Sequence, residues 1–69
     1  MVKKVDLSKV ESVKEFVEIA RSKTSDVILK HNQWVIDGKS ILGIFSLDLS
    51  TPVELVTEDY SGFEDFIVE

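Results

Sequence analysis

Apolar and polar positions change period several times along the chain, and each change marks an element. Val5 and Leu7 alternate with Lys4 and Asp6, a period of two that predicts a half-buried strand within residues 2–7. The spacing then shifts to three and four. Val13, Phe16, Val17 and Ala20 share one helical face running to Lys23, Ser12 and Glu15 stand at capping-box spacing, and Glu11, Glu15 and Glu18 lie near the positive end of the helix dipole. Asp26-Val27-Ile28-Leu29-Lys30 and Trp34-Val35-Ile36-Asp37 are short β-branched runs separated by His31-Asn32-Gln33; Asn tolerates a left-handed turn conformation, so the pair reads as a hairpin. Next, Ile41, Ile44, Phe45 and Leu47 recur at helical spacing behind Ser40. They predict a short helix that Gly43 weakens by about 1 kcal/mol relative to alanine. Val53 and Leu55 flank Glu54 as a further strand, and Ser61 and Glu64 repeat the capping-box spacing around Phe63, Phe66 and Ile67, predicting a closing helix of barely two turns.

The resulting order, βαββαβα, suits an α+β domain in which three helices lie on one face of a four-stranded antiparallel sheet. Pro52 is the only proline and the glycines are scattered, so no linker or repeat divides the chain and one domain over residues 1–69 is expected. Trp34, in strand period with Ile36, is expected to anchor the sheet rather than to serve as a ligand platform.

Length and charge narrow the chemistry. A chain of 69 residues buries only about 60% of its unfolded surface, which leaves a thin core and little room for a deep cleft. There is no cysteine and one histidine, His31, so neither a disulfide framework nor a thiolate metal site can form, and no metal or cofactor is expected. No apolar run has the length of a membrane span, and no hydrophobic segment follows Lys3 and Lys4. A cytoplasmic protein without membrane association is expected. All eight Lys and Arg fall at or before Lys39 together with six acids, whereas the last thirty residues hold seven acids and no base. The two parts carry +2 and −7. Solubility explains such charge, and nucleic-acid binding is disfavoured because no basic stripe with interleaved aromatics exists.

The run from Phe16 to Ala20, the Ser25-Asp26 start of the second strand, and above all Lys39-Ser40-Ile41-Leu42-Gly43-Ile44-Phe45-Ser46-Leu47 resemble HPr, the histidine-containing phosphocarrier family of the bacterial sugar phosphotransferase system. The last segment is similar to that family's regulatory-serine motif, a Lys-Ser-Ile-Met-Gly-Val-Met-Ser-Leu type of sequence opening its second helix. The likeness runs without a gap from Lys9 to about Leu49 and implies an HPr-like open-faced β-sandwich. It also implies where chemistry belongs. In the family, a histidine, an arginine two positions later and then a proline lie at the mouth of the first helix, where the histidine accepts a phosphoryl group from Enzyme I. The matching positions here are Lys9, Glu11 and Ser12. A protonated lysine is no nucleophile, and Glu11 puts negative charge where the phosphoryl would sit. His31, in the hairpin turn, reads as a solvent-facing residue and not as a substitute acceptor.

Ser40 keeps the family's match. A serine there serves first as a helix cap; the resemblance adds that it is a target of the HPr kinase/phosphorylase, its phosphate set against the helix dipole. Gly38-Lys39-Ser40 also echoes a phosphate-binding loop, but Gln33 stands where the first glycine is required. Leu42 and Phe45 match the family's two docking methionines. With Ile41 they either form an exposed patch for a protein partner or fill the core, and because Ile44 and Leu47 supply an inward row, exposure is favoured. The resemblance therefore implies a non-enzymatic regulator or adaptor, without histidine phosphotransfer, whose partners belong to the phosphotransferase system or to catabolite regulation. Two alternatives stand beside it: a phosphocarrier with an unrecognised acceptor, and a purely structural or interaction domain of other ancestry.

Overall fold

The structure, a computed structural model, describes residues 2–68. Its elements are β1 (Lys3–Val5), α1 (Val10–Arg21), β2 (Val27–His31), β3 (Trp34–Asp37), α2 (Ile41–Phe45), β4 (Val53–Thr57) and a 3-10 turn at Glu64–Phe66. The strands form one sheet in the order β1-β4-β2-β3, every neighbouring pair antiparallel. Leu29 stands opposite Leu55 on one side and Ile36 on the other, and Val5 opposite Val53. Directly opposed residues share a face. Val5, Val27, Leu29, Val53 and Leu55 are thus the apolar face of the sheet, at most 1% exposed.

The row Val13, Phe16, Val17 and Ala20 of α1 closes over that face. Leu7, 1% exposed, enters the core just before the helix. The opposite face stays open: Lys4, Lys30, Val35 and Glu54 are exposed and Ile28 and Val56 half-buried. The molecule is a small α+β, open-faced, four-stranded antiparallel sandwich, and the predicted order of elements along the chain is present through β4.

Three expectations need correction. The first helix does not start on a Ser12 cap. It begins at Val10 with Lys9 as N-cap, and no side chain caps it. Leu7 is committed to the core and the Ser8 N–H to Asp6 Oδ1 at 2.9 Å, so the chain turns at Ser8 and the Val13 N–H already reaches the Lys9 carbonyl. Ser12 is left inside the first turn. The closing helix is only the 3-10 turn, which leaves two α-helices rather than three. Ser61 is drawn away from capping by Asp59, which accepts from both its N–H and its hydroxyl, and Gly62 takes a positive φ of 90° that an α-helix cannot contain. What the sequence pattern did carry there is burial: Phe63 and Phe66 pack against Phe16, the first tilted with ring centroids 4.7 Å apart and the second edge-on at 5.8 Å. Ile67 then returns to an extended backbone and bridges to Val5. Third, Trp34 is not a buried anchor, since it is 59% exposed at the end of an edge strand.

The hairpin forms as its sequence suggests, with Asn32 at φ 56°. At its far end Gly38 donates its N–H to the Val27 carbonyl, and a Cβ there would stand 2.7 Å from Val27 Cγ1 and 2.9 Å from Val27 O. The second of these is backbone and cannot move aside cheaply. A Gly38→Ala variant should therefore lose about 1–3 kcal/mol, read as a lower urea midpoint at unchanged slope.

Candidate functional site

The Ser40 helix is built from three local choices. Ser40 has an extended backbone and its Oγ accepts from the Gly43 N–H at 3.1 Å, the capping role its type suggests. Asp37 closes the entry: its Oδ1 accepts from the Lys39 N–H at 2.9 Å and its carbonyl from the Ser40 N–H at 3.0 Å. Gly43 then permits α2 to lie close to β3, because a Cβ on it would meet Ile36 Cγ2 at 2.9 Å and Ser40 Oγ at 3.1 Å. The helix-weakening glycine is the condition for both the packing and the cap.

Only one residue of α2 is fully inward. Ile44 is buried, Ile41 is half-buried against the core, Leu42 is 81% exposed and Phe45 41% exposed. Leu47, just past the helix, completes the inward row at 9% exposure. Leu42 and Phe45 are thus the exposed pair favoured by the sequence pattern, while Ile41 is shared between core and surface.

Beside the Asp37 carboxylate, the start of α2 also has two cationic side chains near it. Arg21 Nε donates to the Lys39 carbonyl at 3.2 Å, and Lys39 Nζ to the Lys23 carbonyl at 3.0 Å, so the C-terminal end of α1 brings one cation, Arg21, beside the start of α2. Lys23 itself turns to the other side, where it meets Asp59 Oδ2 at 3.1 Å, Ser61 Oγ at 3.0 Å and the Ser61 carbonyl, and lies over the Phe63 ring at 5.4 Å. Spacing gives no hint of this long-range tie between α1 and the last loop, and no sequence signal marks it. Asp59, held by the Ser61 hydroxyl and N–H and by Lys23, has its pKa lowered to about 2.

The positions matching the phosphohistidine site lie at the other end of α1. Lys9 and Ser12 line an open groove of about 510 Å³ with Asp6, Glu15, Glu18 and Asp65. Glu11 is exposed and not part of that lining. Four carboxylates and one ammonium line the groove, and the Ser8 N–H and hydroxyl, with a smaller contribution from the Lys9 charge, hold the Asp6 carboxyl below its usual range. The groove is a poor place for an incoming phosphoryl.

His31 is at the same end of the sheet, but two strands across from β1, in a second hollow lined by Lys4, Lys30, Asn32, Pro52 and Glu54. The two hollows share no residue. Asp48, elsewhere on the surface, has its carboxyl held below the usual range by the Ser50 hydroxyl and N–H. Among the described residues no group of His, Asp and Glu is placed to hold a metal ion, and no helix is long and apolar enough to cross a membrane.

No protein-family model, no curated protein and no solved structure matches this chain.

Two measurements probe this geometry. Ser40→Ala removes the cap and should cost about 1 kcal/mol of stability in urea unfolding. For Asp59, the folded pKa of about 2 lies below the ordinary 3.8, so its contribution is present above pH 4 or so and is lost as pH falls toward about 2. Asp59→Asn should flatten that part of the Tm-against-pH curve while leaving the slopes due to Asp6 and Asp48 in place.

Proposed function

We propose that this chain is a non-catalytic, HPr-like protein that does not carry phosphoryl groups on histidine and acts as a regulator or adaptor by docking the α2 face onto protein partners of the bacterial phosphotransferase system or of catabolite regulation. The observation that carries this reading is the exposure of Leu42 and Phe45, at 81% and 41%, on a helix capped by Ser40. A leucine so open to water contributes almost nothing to folding, and its hydrophobic surface gains free energy only when a partner covers it. The four-stranded antiparallel sheet is compatible with the open-faced sandwich that the serine-motif resemblance implies, although the third helix expected with it is only a 3-10 turn.

The state of the α1 mouth supports the negative half of the proposal. Where a phosphocarrier needs a neutral imidazole ringed by donors, Lys9 and Ser12 face Asp6, Glu15, Glu18 and Asp65. Ser40 is the candidate regulatory position. Phosphorylation there would replace a hydroxyl cap by a dianion beside Arg21 and Lys39, a setting that favours the added charge. The adjacent apolar residues would then meet any partner across a strongly negative rim, so the modification selects among partners rather than creating a surface.

Treatment with HPr kinase/phosphorylase and ATP should place a single phosphate on Ser40, read by mass spectrometry, and an unmodified product would remove Ser40 from the proposal. Leu42→Glu should change stability by no more than about 0.5 kcal/mol, whereas Ile44→Ala should cost about 2–5 kcal/mol. If docking uses this face, the stable Leu42→Glu protein is the one that stops binding its partner in a pull-down from the native host; retained binding would move the surface elsewhere.

A further inference from the structure

The two edges of the sheet are treated differently. On the β1 side, the Val68 N–H donates to the Lys4 carbonyl and the Asp6 N–H to the Phe66 carbonyl, both at 2.8 Å, and Ile67 bridges to Val5. That edge is covered. The β3 edge carries Trp34 and Val35 at 59% and 63% exposure, with no charged side chain until Asp37 and no proline, although such residues are what ordinarily keep a free edge from pairing.

The ladder fixes which main-chain groups face outward. Gly38 N–H donates to the Val27 carbonyl directly opposite it, so in the β2–β3 register the hydrogen-bonded pairs are Val27 with Gly38, Leu29 with Ile36 and His31 with Trp34. The intervening residues, Val35 and Asp37, point their N–H and C=O groups away from β2. The Asp37 carbonyl is taken by the Ser40 N–H. Val35 alone offers both a free donor and a free acceptor, and no hydrogen bond among the described residues reaches either.

We infer that β3 is the pairing edge for a second copy of this chain, antiparallel about a two-fold axis at Val35, joining two sheets into one of eight strands. A two-fold antiparallel contact needs a residue that exchanges N–H and C=O with its own copy, and Val35 meets that requirement. The register that follows is self-consistent. Val35 faces its copy on the open side of the sheet, Trp34 lies across from Ile36 on the helix-covered side, and Gln33 stands opposite Asp37, amide against carboxylate. No like charges meet. Because α2 packs on β3, the new contact forms beside the exposed face of α2. A four-residue strand buries less than the roughly 1,000 Å² of a stable interface, so the dimer is weak and reversible. This inference does not depend on the HPr-like reading.

Sedimentation velocity from about 10 µM to about 1 mM should show a concentration-dependent monomer–dimer shift, and the Val35 amide should gain hydrogen-exchange protection over the same range. Val35→Pro deletes an N–H the fold does not use, and Val35→Lys sets two cations against each other on the axis. Each variant should keep its circular-dichroism spectrum and dimerise roughly tenfold more weakly or worse. A wild-type chain that stays monomeric throughout, or dimers that survive both substitutions, or protection that rises elsewhere than at β3, would overturn the proposal.

Discussion

The structure depends on how much a helix of one and a half turns can bury. α2 spans Ile41–Phe45, and a segment that short presents one side chain squarely to a sheet. Ile44 takes that place and Ile41 is half used. Leu42 has no inward direction left. Its exposure is therefore a geometric consequence of element length and of Gly43, which draws α2 down on Ile36, and not of a poorly filled core. α1, with Val13, Phe16, Val17 and Ala20 inward and Phe16 packed against Phe63 and Phe66, supplies most of the helical layer's burial. The fold can thus tolerate a second helix that leaves Leu42 almost wholly in water.

Charge divides the same layer. Arg21 and Lys39 gather where α1 ends and α2 begins, while Asp6, Glu15, Glu18 and Asp65 surround Lys9 where α1 starts. The Ser40 end thus has two cations to one carboxylate, and the Lys9 end one cation to four carboxylates. The last thirty residues carry −7 by count, and part of that charge is paired. Asp59, one of those acids, is held to Lys23.

What was legible in the sequence is what periodicity encodes. Val13, Phe16, Val17 and Ala20, the alternation of Val53 and Leu55, the Asn32 turn, the Ser40 cap and the exposure of Leu42 all follow from local pattern. What was not legible comes from contacts distant in sequence. Ser12 and Ser61 have capping-box spacing with Glu15 and Glu64, yet Leu7's burial starts α1 early and Asp59 captures Ser61. Phe63 and Phe66 were spaced for a helix but are held by Phe16 rather than by one. Trp34 has strand period, but period cannot say that its strand is the outermost. The Lys23 tie to Asp59 and Ser61, spanning more than thirty residues, has no sequence signature.

The most direct measurement is phosphoryl transfer itself. Incubation of the purified chain with Enzyme I and phosphoenolpyruvate, followed by intact-mass analysis under alkaline conditions that preserve phosphohistidine, should show no added phosphate if the chain works by docking. An acid-labile phosphate on His31, in its hollow with Lys4 and Lys30, would contradict that and make the protein a carrier.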